Sequence, residues 1–160
     1  MRRSRFFILF ASIGTVAAHA ADPSITLSVD GAHAQRIDIA ALAALPQQTV
    51  HAKAHDKEVE CTGPNLIDVL EKAGAPHGEK LRGKNLEYVV RVSAADGYRV
   101  AFALAETDPA MRNDVPILTA RCNGAALDDK EGPFRVIVPG EKRPARWIRQ
   151  VTAIEVLKLP

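Results

Sequence analysis

The stretch Gly132-Pro133-Phe134-Arg135-Val136-Ile137-Val138-Pro139-Gly140 decides how this chain is read. Gly-Pro and Pro-Gly are turn dipeptides, so the run is punctuated at both ends. Phe134 to Val138 between them is short, mostly apolar and β-branched, the pattern of a buried strand. That strand empties into Glu141-Lys142-Arg143-Pro144-Ala145-Arg146-Trp147-Ile148-Arg149, which carries four basic residues and the only tryptophan of the chain. Guanidinium groups pair well with phosphate and carboxylate, and loops on a rigid scaffold commonly carry function. The expectation is an anion-binding site made by Arg135, Lys142, Arg143, Arg146 and Arg149 around Trp147. The plainer reading is a solvated basic surface with the tryptophan capping the core.

Working outward, the flanking segments read as many short strands. Ile25 to Val29 alternates and is followed by the turn Asp30-Gly31, then Gln35 to Ile39, a hairpin by pattern. Asp38 caps a short helix over Ile39 to Leu45, which Pro46 ends. Thr49 to Ala54 and Lys57 to Thr62 form two strands joined at His55-Asp56. Asn65 stands as N-cap to a helix from Leu66 to Ala73, with Leu66, Ile67, Val69 and Leu70 as its apolar face and Gly74 as its stop. Tyr88 to Val92 and Tyr98 to Phe102 flank Asp96-Gly97 as a second hairpin. Pro116 to Arg121 is a further strand, Cys122-Asn123-Gly124 a turn, and Gln150 to Lys158 the closing strand. No repeat or composition break marks a second folded domain. The fold class expected is α+β, a mixed and mostly antiparallel sheet with short helices.

The 160 residues carry 21 Lys and Arg against 19 Asp and Glu. Met1-Arg2-Arg3-Ser4-Arg5, an apolar run from Phe6 to Ala18, and Ala18-His19-Ala20 together read as a signal peptide over 1–20. The apolar run is short for a transmembrane helix. The domain expected is therefore 21–160, periplasmic or secreted, with no membrane insertion after cleavage. Loss of Arg2, Arg3 and Arg5 turns the formal charge of +2 into −1. That balance gives no case for nucleic-acid binding.

The motifs of hydrolases, of thioredoxin-type redox proteins and of nucleotide-phosphate loops are absent. His51 and His55 are four apart, but on strand and turn rather than helix, where that spacing has no metal-binding meaning. Asp96-Gly97-Tyr98 puts a phenol beside a carboxylate, or simply makes a turn. Cys61 and Cys122 allow one disulfide. Sequence leaves open whether they form it, stay as buried thiols, or include a reactive one.

Four ordered segments carry a family resemblance. Val59-Glu60-Cys61-Thr62-Gly63-Pro64-Asn65-Leu66-Ile67-Asp68-Val69-Leu70 resembles the glycine-and-leucine segment of the sulfite oxidase-type molybdopterin-binding domain. Ser93-Ala94-Ala95-Asp96-Gly97-Tyr98 is similar to its hairpin. Asn123-Gly124-Ala125-Ala126-Leu127 with Gly132 to Gly140 resembles its "N-G-x-x-L … G-P-x-R-x-x-V-P-G" run, and Trp147 to Val151 with Ile154-Glu155-Val156 its closing strand. The resemblance implies a sulfite oxidase-like fold around a molybdenum–pterin cofactor. It also implies a metal held by the pterin dithiolene and one protein cysteine, and a phosphate met by basic side chains. In full-length enzymes that cysteine lies upstream of the glycine-and-leucine segment. Counting back here reaches Thr49, Val50 and His51. The expectation is thus a domain that keeps the fold and binds an anionic small molecule or a periplasmic protein partner. Molybdopterin is the cofactor the resemblance suggests, with none bound as the favoured state. The alternative is a molybdenum–pterin oxidoreductase or a subunit of one, with His51 or Cys61 as an unusual ligand. Whether the chain is an enzyme stays open at this stage.

Overall fold

The computed structural model describes residues 22–32, 34–54 and 56–160; the leader expected over 1–20, and His33 and His55, lie outside them. Its centre is a five-stranded sheet in the order β2-β1-β11-β5-β6. These strands are β1 Ser24–Val29, β2 Gln35–Asp38, β5 Tyr88–Ala94, β6 Arg99–Ala103 and β11 Val151–Lys158. β1 and β11 run parallel; the other neighbours are antiparallel. Strand alternation puts Ile25, Leu27, Val90, Val92, Phe102, Ile154 and Val156 on one face, all essentially inaccessible to solvent. The opposite face mixes polar residues with Val89, Leu157 and alanines, and across its middle Arg91 and Glu155 make two parallel bonds of 2.9 Å.

A second sheet has the order β3-β4-β8-β9, from β3 Gln48–Ala54, β4 Lys57–Gly63, β8 Arg121–Cys122 and β9 Ala125–Ala126. A third pairs β7 Ile117–Thr119 with β10 Arg135–Ile137. The run expected as one strand over Pro116 to Arg121 is therefore split between two sheets. At the break the Thr119 hydroxyl donates to Thr62 O and accepts from Arg121 N at 2.9 Å, tying the end of β7 to β4 and β8 as the chain changes partner from β10 to β4.

Turn chemistry sets the hairpins. Asn123 and Gly124 both have positive φ, 52° and 76°, as a two-residue hairpin turn requires. The Asp96-Gly97 connection is wider than a tight turn. Ala94 N donates to Tyr98 O, and only Gly97 is left-handed, so three residues form the loop. Asp38 caps α1 (Ile39–Ala43) by accepting from Ala41 N at 2.7 Å. Asn65 precedes α2 (Leu66–Lys72) but makes no side-chain bond to the helix backbone; its Nδ2 donates to Asp68. The start of α2 is pinned instead by Leu66 N donating to Pro116 O and Leu118 N to Pro64 O. Gly63 permits that approach: a Cβ there would lie 2.1 Å from Leu118 O.

Candidate functional site

The closing loop meets the second sheet over a cleft of about 600 Å3. One wall is the β3–β4 hairpin, through Ala54, Lys57 and Val59. The second is the end of the central sheet, through Ala94, Asp96 and Tyr98. The third is built by Glu131, Arg135 and the segment Pro144 to Arg149, without Arg146. The sequence explains the third wall locally. Val136 N donates to Ile148 O and Val151 N to Phe134 O, so the chain after Pro144 runs back along β10 and holds Trp147 and Ile148 in place. Trp147 is 4% exposed, and its Nε1 donates to Val138 O at 2.9 Å. Tyr98 projects across from the hairpin loop, half-exposed, with its hydroxyl donating to Ala145 O.

The cations expected around Trp147 divide. Arg135 lines the cleft, pairs with Glu131 and lies 5.9 Å from the Trp147 ring centroid. Its Nε is buried and has no acceptor. Burial pulls the Arg135 guanidinium below its ordinary pKa, Arg149 adds to that, and Glu131 works against it. Arg149 also lines the cleft, 3.8 Å from Glu131 with a 59% exposed side chain. Arg146 turns away. It stacks 4.5 Å over the Phe102 ring, bonds Glu141 through Nε at 2.7 Å, and approaches Glu106. Burial alone would lower its pKa, but the Glu141 and Glu106 bonds outweigh that and raise it. Lys142 and Arg143 are exposed on the loop and do not line the cleft. The structure therefore brings together Arg135, Arg149 and Trp147, and gives Arg146 to a structural latch.

Lys57 and Glu131 enter the site without having been singled out as binding residues, whereas Asp96 and Tyr98, weighed from sequence as a carboxylate beside a phenol, both line it. Lys57 comes from a hairpin tip far away in sequence, and nothing in its local pattern marks it. Glu131 carries a signal in hindsight: an acid four residues before Arg135 and close to Arg149 in space.

Cys61 and Cys122 face each other across β4 and β8 and are joined as a disulfide. Cys61 is fully buried. His51 is exposed and lies 3.8 Å from Glu60. Among the described residues no three His, Cys, Asp or Glu side chains gather as a metal site.

Comparison with curated proteins gives no match. Among solved structures, the chain is similar to the sulfane dehydrogenase SoxCD from Paracoccus pantotrophus, with a TM-score of 0.62 and 18% identity. That likeness, which shows the fold, covers 84% of this chain but only 38% of the other. It agrees with the mixed, mostly antiparallel architecture described above. Residues 14–160 match the oxidoreductase molybdopterin binding domain family, and the chain belongs to that family.

Proposed function

We propose that this domain is an exported binding module that retains the molybdopterin-binding fold and holds an anionic ligand in the cleft between the β3–β4 hairpin and the Pro144–Arg149 segment. The observation that carries the reading is the set of cations that line one open cleft. Arg135 lines it with its guanidinium paired to Glu131. Arg149 and Lys57 add positive charge at the same cleft.

The family's cofactor tests the reading from the other side. A molybdenum–pterin group of the kind the resemblance implies takes one protein thiolate on the metal. This chain has two cysteines, and they are bonded to each other. The cleft cations suit a phosphate or carboxylate, but the donor set does not fit the metal end, because a disulfide sulfur is no thiolate. The leader pattern and a disulfide, which persists in oxidising compartments, support export.

The test is a titration of mature protein with simple oxyanions and with molybdopterin, following the single Trp147. Binding should shift its emission, and Arg149→Gln should weaken it about tenfold or more, as loss of a charge-assisted partner does. No response at millimolar ligand overturns the proposal. Stoichiometric molybdenum and pterin in protein isolated from its native compartment would overturn it in favour of the oxidoreductase reading.

A further inference from the structure

The same cleft discriminates between kinds of anion, and this inference rests on the anion-binding reading. Three cationic side chains line it, Lys57, Arg135 and Arg149, against two carboxylates, Asp96 and Glu131. The balance leaves one positive charge, enough for a single negative one. The cations are not equivalent. Arg135 is nearly buried and committed to Glu131. Arg149 is largely exposed and only loosely in contact with Glu131. Lys57 is exposed and has no carboxylate within ion-pair distance among the described residues. A ligand's charge therefore falls to Arg149, on the closing segment, and Lys57, on the hairpin.

Part of the remaining lining is apolar: Ala54 and Val59 on the hairpin, Pro144 and Ala145 on the closing segment, with Ala94, Trp147 and Ile148 almost wholly buried beneath. Tyr98 adds an aromatic side chain that is 51% exposed. Its hydroxyl is already spent on Ala145 O, so what it offers a ligand is chiefly its ring. Inorganic sulfate or phosphate would satisfy the charge and leave these walls bare. A small, strongly hydrated dianion also gains nothing from apolar contact, whereas an organic body covering those walls does. A volume near 600 Å3 lies within the range of small-molecule sites.

We infer that the ligand is an amphiphilic monoanion, an organic carboxylate with a flat apolar body, seated on Tyr98, Val59, Pro144 and Ala145 with its charge between Lys57 and Arg149.

Isothermal titration of mature protein with 2-naphthoate, its neutral amide and inorganic sulfate and phosphate tests this. Naphthoate should bind about tenfold or more tightly than both the amide and the inorganic ions. Lys57→Gln and Arg149→Gln should each weaken naphthoate by about that factor while leaving the circular dichroism spectrum unchanged. Val59→Ser should weaken naphthoate and leave sulfate unaffected. Sulfate or phosphate binding as tightly as naphthoate, with the same dependence on Arg149, overturns this inference and leaves the anion-binding reading standing. Equal affinity for the amide, or no binding by any of the four, overturns both.

Discussion

Replacing both cysteines, Cys61→Ala with Cys122→Ala, tests the feature on which the chemistry turns. The two positions are separated by 61 residues. Closing a loop of that size removes chain entropy from the unfolded state worth about 4 kcal/mol at 25 °C. Cutting a sulfur from the fully buried Cys61 site adds about 1 kcal/mol of lost packing. For a domain of this length the sum corresponds to a fall in Tm of about 10–20 °C. Urea unfolding should show it as a lower midpoint, with a steeper slope because the unlinked chain unfolds to a more open ensemble. A parallel thiol titration in denaturant should find no reactive thiol in the parent until a reductant is added. Two results would refute the reasoning: a double variant within about 1 kcal/mol of the parent, the size of an unremarkable substitution, or two thiols in the unreduced protein. The second would return Cys61 to consideration as a thiolate.

Glu141→Ala removes the closest acceptor of Arg146, which Glu106 replaces poorly from 3.4 Å; the expected loss is about 1–3 kcal/mol in urea unfolding, with a change in Trp147 emission as the loop loosens, and an unchanged midpoint would show that the latch contributes nothing. Gly63→Ala would drive a Cβ against the Leu118 carbonyl, backbone on backbone, so a cost of about 3 kcal/mol is expected, and a neutral result would refute the close packing of β4 on β7. Burial raises the Asp68 pKa above its ordinary 3.8, with Glu71 and Asp108 adding to the shift and the Asn65 bond opposing it. The folded state thus holds that proton more tightly, and stability should fall as pH rises from 3.8 through the raised folded value. Asp68→Asn should abolish that slope and leave the protein no less stable at neutral pH; a slope that persists would exclude Asp68 as its source.

Much of the fold was legible because its punctuation is local. Asp30-Gly31, Asn123-Gly124 and Gly74 each occupy the left-handed backbone their chemistry favours, and the Asp38 cap needs a partner only three residues on. What the chain could not disclose lies across space. Thr119 looks like any strand threonine until Thr62 O is beside it. Arg146 reads as a free cation until Glu106 and Phe102 are placed under it. The cleft is assembled from Lys57, Tyr98, Arg135 and Arg149, and no window of sequence contains them all. The family motifs conveyed the architecture, while the occupants of that architecture had to be read from contacts.

The strand at the heart of the main sheet follows all four of its sheet-mates in the chain. β11 lies between β1 and β5, so Thr26 waits for Ala153 and Val92 for Ile154. Without β11, both flanking strands present apolar faces and an unpaired ladder edge. That is an invitation to aggregate, which a holding chaperone would have to refuse. The sheet closes only once β11 has joined the β2-β1 pair to the β5-β6 pair.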